Sequence, residues 1–301
     1  MIKVPLWDPG ESSLLETAKG PIEYAVAGEG YPLLVIHGGP GGYDQALGLG
    51  DMFPPEGFKI ICPSRPGYLR TPLSVGATIA EQAEALVALL DGLGLDRFGV
   101  MGASAGGPPA YEMAIRYPQR VKALVAVDAV CRTYHLPQQA GAVEQKLFLS
   151  KPGEWLLNKM LDYFPKLVIA NILKTEGYLN AAELHERLNQ VVQDPQKLHY
   201  VRVFFSSMSH YDLRKAGVEN DLTQLAAIDR LEVGKVQAPS LIIHGTADAD
   251  VQFADADYAA STIPGAEHFW INRGTHLCFW LSDQAGEAQQ RTIAFLKKHL
   301  Q

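Results

Sequence analysis

A layered α/β fold, built on a mostly parallel, doubly wound sheet, is predicted by three features of the 301-residue sequence. Short continuous apolar runs recur along the chain, as strands buried on both faces of a parallel sheet require. Helical segments separate many of those runs, the alternation from which βαβ units are built. One run, Arg97 to Met101, leads through Gly102-Ala103-Ser104-Ala105-Gly106 into a helical segment from Ala110 to Arg116, so a serine sits on a strand-to-helix turn.

Taken in order, Leu14–Ala18 and Ile22–Ala27 read as an N-terminal hairpin about Lys19-Gly-Pro21. Tyr31–Ile36 is a buried strand ending in His37-Gly-Gly-Pro-Gly-Gly42, and Phe58–Cys62 is the next, ending in Pro63-Ser-Arg-Pro-Gly67. Thr78 to Leu93 repeats apolar residues at helical spacing (Ile79, Ala83, Leu86, Val87, Leu90) and stops at glycine. After the serine turn, Pro108 and Pro109 suit only a first helical turn, so regular helix is expected from about Tyr111. Val121–Val127, Ser240–Ile243 and Glu267–Ile271 are further strands, and Asp283 to Leu300 is a closing amphipathic helix. Between about Cys131 and Ile228 the alternation fails. Helical pieces at 145–149, 154–163, 181–192 and 196–208, rich in aromatic residues, suggest a lid. The expected division is therefore a core of residues 1–130 and 229–301, with a helical lid at 131–228 inserted between core strands.

Composition narrows the function. A net charge of −7 argues against a nucleic-acid or anionic-membrane partner. Neither a signal-peptide core nor an apolar run of membrane-spanning length is seen. Three widely spaced cysteines, Cys62, Cys131 and Cys278, fit free thiols in a reducing compartment. A soluble cytoplasmic protein acting on a small-molecule substrate is the expectation.

The Ser104 turn carries the chemistry. Side chains two residues to either side of the serine would collide with strand and helix, hence Gly102 and Gly106. A serine hydroxyl needs a base to take its proton and a carboxylate to orient that base. His276, in Arg273-Gly-Thr-His-Leu277, follows the last apolar strand and so lies at the sheet edge where the serine emerges. His37 and His244 follow strands and precede glycine, which suits support of loop geometry. Asp248, in Gly245-Thr-Ala-Asp-Ala-Asp250-Val251, is the first choice for the acid, Asp250 the second and Asp128, at the end of the Val121–Val127 strand, the third. Backbone N–H groups of Ala105 and Gly39 are the candidate donors to an oxyanion.

In this order His37-Gly-Gly-Pro-Gly41, Ser64-Arg-Pro-Gly-Tyr68, the Ser104 elbow, Gly245-x-x-Asp248-x-x-Val251 and Gly274-Thr-His276 resemble the α/β-hydrolase superfamily over nearly all of the chain outside the lid. The resemblance implies an α/β-hydrolase fold with about eight strands, and Ser–His–Asp hydrolysis without a cofactor. The His-Gly-Gly-Pro-Gly-Gly loop is similar to that of proline iminopeptidases, which usually carry tryptophan where this chain has Ala105 and use lid acids to hold a free amine. Glu144, Glu154, Glu176, Glu183 and Glu186 lie on polar stretches that read as solvated faces. Phe148, Trp155, Phe204, Phe205 and Met208 are expected to form an apolar wall. Together these favour a carboxylic-ester hydrolase. The alternatives are an iminopeptidase-like aminopeptidase, a carbon–carbon bond hydrolase, and a ligand-binding receptor that retains the triad. Ser104 speaks against epoxide hydrolases and haloalkane dehalogenases, whose nucleophile is aspartate. No H-E-x-x-H or paired-cysteine motif points to a metal, and no G-x-G-x-x-G follows the first strand.

Overall fold

The computed structural model describes residues 2–136 and 151–300. Its centre is one eight-stranded sheet: β1 (Ser13–Thr17), β2 (Gly20–Ala27), β3 (Tyr31–Ile36), β4 (Phe58–Pro63), β5 (Phe98–Ala103), β6 (Val121–Val127), β7 (Ser240–Gly245) and β8 (Glu267–Ile271), in spatial order 1-2-4-3-5-6-7-8. The first two pairings, β1 with β2 and β2 with β4, are antiparallel, and the rest are parallel.

The continuous apolar runs follow from burial on two faces. Along β3, Leu33 and Val35 point into one core while Leu34 and Ile36 point into the other. Helices Ile79–Gly92, Gly107–Arg116 and Phe253–Thr262 cover the second face. Helices Tyr43–Leu49 and Ala285–Leu300 cover the first. Burying a leucine- or isoleucine-sized side chain on both sides contributes about 1.5–3 kcal/mol per residue.

Between β6 and β7 the described chain is helical, with helices Lys151–Tyr163, Pro165–Thr175, Ala181–Gln193, Pro195–Ser206 and Lys215–Ala227. Ile169, Val191 and Val201 join the first-face core, so this segment packs continuously with the sheet's own helices. The expected helix at 145–149 lies outside the described residues.

One local expectation needs correction. The helix after Ser104 starts at Gly107, before the expected Tyr111, and follows a single 3₁₀ turn over Ser104–Gly106. Pro108 and Pro109 are accommodated because the first helical turn asks for no backbone N–H donor there.

Candidate active site

At the carboxyl end of β5 the backbone turns sharply, and Ser104 takes a left-handed φ of 52°. A Cβ at Gly102 would stand 2.6 Å from the Gly106 carbonyl oxygen and 2.7 Å from the Ala110 Cβ. At Gly106 it would meet the His37 carbonyl oxygen at 2.5 Å. Only glycine fits both places, and the strained serine between them is aimed out of the sheet edge.

The loop after β8 brings His276 to this serine. Its Nε2 lies 3.0 Å from Ser104 Oγ, and its Nδ1 lies 2.8 Å from Oδ2 of Asp248, on the loop after β7. The Asp248 carboxylate also accepts the backbone N–H groups of Asp250 (2.8 Å) and Val251 (3.0 Å) through Oδ1. Burial pushes this carboxyl up, but the neighbouring His276 charge and hydrogen bonds from His244 and His276 outweigh it and hold it at about 2. Burial works against the charged form of His276 too. Asp248, Asp250 and Glu176 overcome it and keep the imidazole well above its ordinary value.

The two rival aspartates occupy different places. Asp250 approaches the other imidazole nitrogen, with Oδ2 3.3 Å from His276 Nε2, so it cannot orient the ring as Asp248 does. Asp128 lies behind Asp248, where its Oδ1 accepts the Gly245 N–H at 2.9 Å and His244 Nδ1 is 3.8 Å away. Burial first, then the Asp248 charge, pushes its carboxyl up to about 7, against the opposing pull of His244. Asp128, His244 and Asp248 bring potential ligand atoms within 4.8 Å of one another. Asp128 holds the Gly245 N–H, Asp248 faces His276, and His244 Nε2 lies 3.0 Å from the Val251 carbonyl, so all three are tied into the network beneath the imidazole, while the buried His244 Nδ1 makes no hydrogen bond among the described residues.

The His37–Gly42 loop lies against the serine, with a Cβ at Gly38 falling 3.1 Å from the Ser104 Cβ. His37 is locked in one tautomer: Nδ1–H faces the Gly38 carbonyl at 2.6 Å and Nε2 accepts the Arg65 N–H at 2.9 Å. Burial and the Arg65 charge hold it well below its ordinary value, so it is a neutral spacer. The Gly38 N–H is committed to Gln45 Oε1 at 3.0 Å.

Two buried arginines that sequence reasoning did not single out pin this loop. Arg65 donates to the carbonyls of His37 and Gly38 and to both carboxylate oxygens of Asp221, at 2.7 and 2.6 Å. Tyr68 donates its hydroxyl to the same Asp221. Arg214 donates to the Gly41 carbonyl and to Asp44. Arg214 and Asp221 come from the inserted segment and lie about 150 residues or more from their partners in sequence, a pairing that no local pattern announces.

Above the serine is a cavity of about 340 Å³. Phe204, Phe205 and Met208 line it, together with Leu49, Ile172, Leu277 and Trp280. Trp155 is 64% exposed and does not line the cavity, which corrects its expected place on the wall; Phe148 and Glu144 lie outside the described residues. A second correction concerns Glu176. Expected on a solvated face, it caps the helix Pro165–Thr175 and turns its carboxyl into the cavity. Burial and then Asp250 push this carboxyl up to about 7. Its backbone carbonyl accepts the N–H of His276 (2.9 Å) and of Ala249 (3.2 Å), and Tyr178 N–H donates to the Ala247 carbonyl, so residues 176–178 are stitched onto the loops that carry His276 and Asp248. Glu183, by contrast, is a surface partner of Arg273.

Residues 31–283 match the family model for the alpha/beta hydrolase fold. An uncharacterized hydrolase of Bacillus subtilis, YcgS, is 29% identical over 282 residues, which cover 92% of this chain and 95% of that one. The 2-hydroxy-6-oxo-6-phenylhexa-2,4-dienoate hydrolase of Comamonas testosteroni is 32% identical over 290 residues, covering 92% and 91%. Among solved structures, an alpha/beta hydrolase fold protein from Nakamurella multipartita is 38% identical and superposes with a TM-score of 0.91 over 95% of this chain and 99% of that one.

Proposed function

The chain belongs to the alpha/beta hydrolase family, and from that premise we propose that it is a serine hydrolase of uncharged carboxylic esters. The observation that carries this reading is the unbroken relay from Ser104 through His276 to Asp248 at the floor of a largely apolar cavity. Ser104 Oγ attacks the ester carbonyl as its proton passes to His276 Nε2. The new Oγ–C bond forms and the carbonyl π pair moves onto oxygen. Backbone N–H groups of Gly39 and Ala105 receive that oxyanion. Collapse breaks the ester C–O bond, and His276 returns its proton to the leaving alkoxide. Water then repeats the sequence on the acyl-enzyme with His276 as base. Asp248 holds Nδ1–H throughout, so the ring presents Nε2 to the serine.

Charge in the cavity distinguishes this reading from its alternatives. A dienoate such as that named for the Comamonas relative is an anion at neutral pH. The described lining has Asp128, Glu176 and Asp250 but neither lysine nor arginine, which disfavours such a substrate. Glu176 and Asp250 do favour a second reading, an aminopeptidase whose substrate brings a free amine to them. The test is kcat/KM for a short-chain aryl ester, a prolyl aryl amide and a dienoate carbon–carbon substrate. The ester should lead the amide by at least tenfold, about 1.4 kcal/mol in transition-state binding. Preference for the amide transfers the assignment to the aminopeptidase reading, and a protein that turns over none of the three fits the receptor alternative.

A further inference from the structure

The position of Asp250 gives it a role distinct from that of the triad acid. Its Oδ2 stands 3.3 Å from His276 Nε2, the nitrogen that faces Ser104 Oγ. Its Oδ1 accepts a 2.6 Å hydrogen bond from the Tyr134 hydroxyl, and its backbone N–H donates to Asp248 Oδ1. The residue is thus held at its backbone and, through Tyr134, at its carboxylate, whose other oxygen lies against His276 Nε2. While the imidazole is neutral, Nε2 offers Asp250 a lone pair, and the contact is repulsive. Once Nε2 has taken the serine proton it offers an N–H, and the contact becomes attractive. An interaction that changes sign on proton transfer favours the protonated ring selectively.

We propose that Asp250 is a positioning carboxylate for His276 Nε2. It stabilises the imidazolium formed during acyl transfer and sets the pH at which the base becomes available. This rests on the Ser104–His276 chemistry of the proposed function. Asp250 does not take the proton, which passes from Ser104 to Nε2 and on to the leaving oxygen.

The groups around the ring come from several elements. Asp248 and Asp250 approach from the loop after β7, Glu176 from the end of the helix Pro165–Thr175, and Ser104 from the elbow. Behind Asp248 lie His244 and Asp128, with the Cys278 thiol 3.6 Å from the latter. All three carboxylates facing the ring favour its charged form, and the imidazole is held well above 6.5 against the effect of burial. A raised pKa means that neutral base appears only at higher pH. Activity is therefore lost, as pH falls, earlier than an unperturbed histidine would require. Neutralising Asp250 should carry that loss to lower pH.

The test combines the pH profile of kcat/KM on an uncharged aryl ester with an NMR titration of the His276 ring in the substrate-free protein. In Asp250→Asn, the acid limb and the imidazole midpoint should both fall by about one pH unit or more, with a lower alkaline kcat and little change in KM. Asp250→Ser should move them in the same direction. A lower plateau with limb and midpoint unmoved would mean that Asp250 only braces the turn, and would overturn the proposal. Should neither variant fold, a wild-type midpoint at or below about 6.5 overturns it instead, and one clearly above supports it. The titration needs no substrate, so it still decides the role of Asp250 if ester turnover proves absent.

Discussion

The sheet edge and the inserted helices meet at the cavity, but they are held there by different means. Ser104, Asp248 and His276 stand on loops that continue directly from β5, β7 and β8, so parallel backbone pairing fixes their spacing. The inserted segment reaches the same place through side chains and a few backbone bonds. Arg214 directly, and Asp221 through Arg65, hold the His37–Gly42 loop from one side, and residues 176–178 join the loops after β7 and β8 from the other. The comparison separates the proposed reacting groups, on loops that continue directly from strands, from the side chains that surround them and hold the neighbouring loops. Substitutions on the two sides should therefore fail differently.

The largest effect is expected at the strand ends. Ser104→Ala should lower kcat by roughly 10⁴–10⁶-fold with thermal unfolding nearly unchanged, since it removes one partly exposed oxygen from a helix start. Steady-state kinetics beside a melting curve check both halves of that statement. Asp248→Asn should cost roughly 10⁴-fold by releasing the ring's tautomer. Asp128→Asn, one layer further back, should cost far less; were it the crippled variant, the orienting acid would have to be reassigned.

On the inserted side the first loss should be stability. Asp221→Ala leaves the Arg65 guanidinium buried without its carboxylate, a change that typically destabilises by about 3–5 kcal/mol. Urea unfolding measures it, and a loss below about 1 kcal/mol would show that the loop is held by other contacts. The smallest effect is expected from Glu176→Gln. Its carboxyl is pushed up to about 7, so near neutrality it carries only part of a charge. The acid limb of kcat/KM should move down by less than a full pH unit, against the larger shift for Asp250→Asn. Equal or reversed shifts would place the controlling charge on the inserted helix.

The same physical difference explains what could be read from the chain. Strands β3 to β7 are legible because each repeats a local signature of burial, the more exposed N-terminal hairpin is legible from its turn at Lys19-Gly-Pro21, and the elbow is legible because its glycines answer a steric demand within five residues. His276 and Asp248 could be placed by their position after strands. Arg65, Asp221 and Arg214 gave no such signal, since a buried ion pair spanning 156 residues looks in sequence like two surface charges. Glu176 shows the limit most clearly. It resembles any glutamate at a helix end, and only the fold reveals that the helix stops against the loop carrying His276. Asp250 stands out in the sequence as a rival acid, but which ring nitrogen it faces depends on a turn that spacing does not resolve.

The central claim is that Ser104 is the covalent nucleophile activated by His276. Its most direct test is labelling with an organophosphonate, followed by intact-mass and peptide mass spectrometry of the wild-type, Ser104→Ala and His276→Ala proteins. One adduct on the peptide containing Ser104 is predicted for the wild type, none for Ser104→Ala, and labelling slowed by several orders of magnitude for His276→Ala. An adduct on another residue in the wild type, or undiminished labelling of Ser104→Ala, would contradict the account.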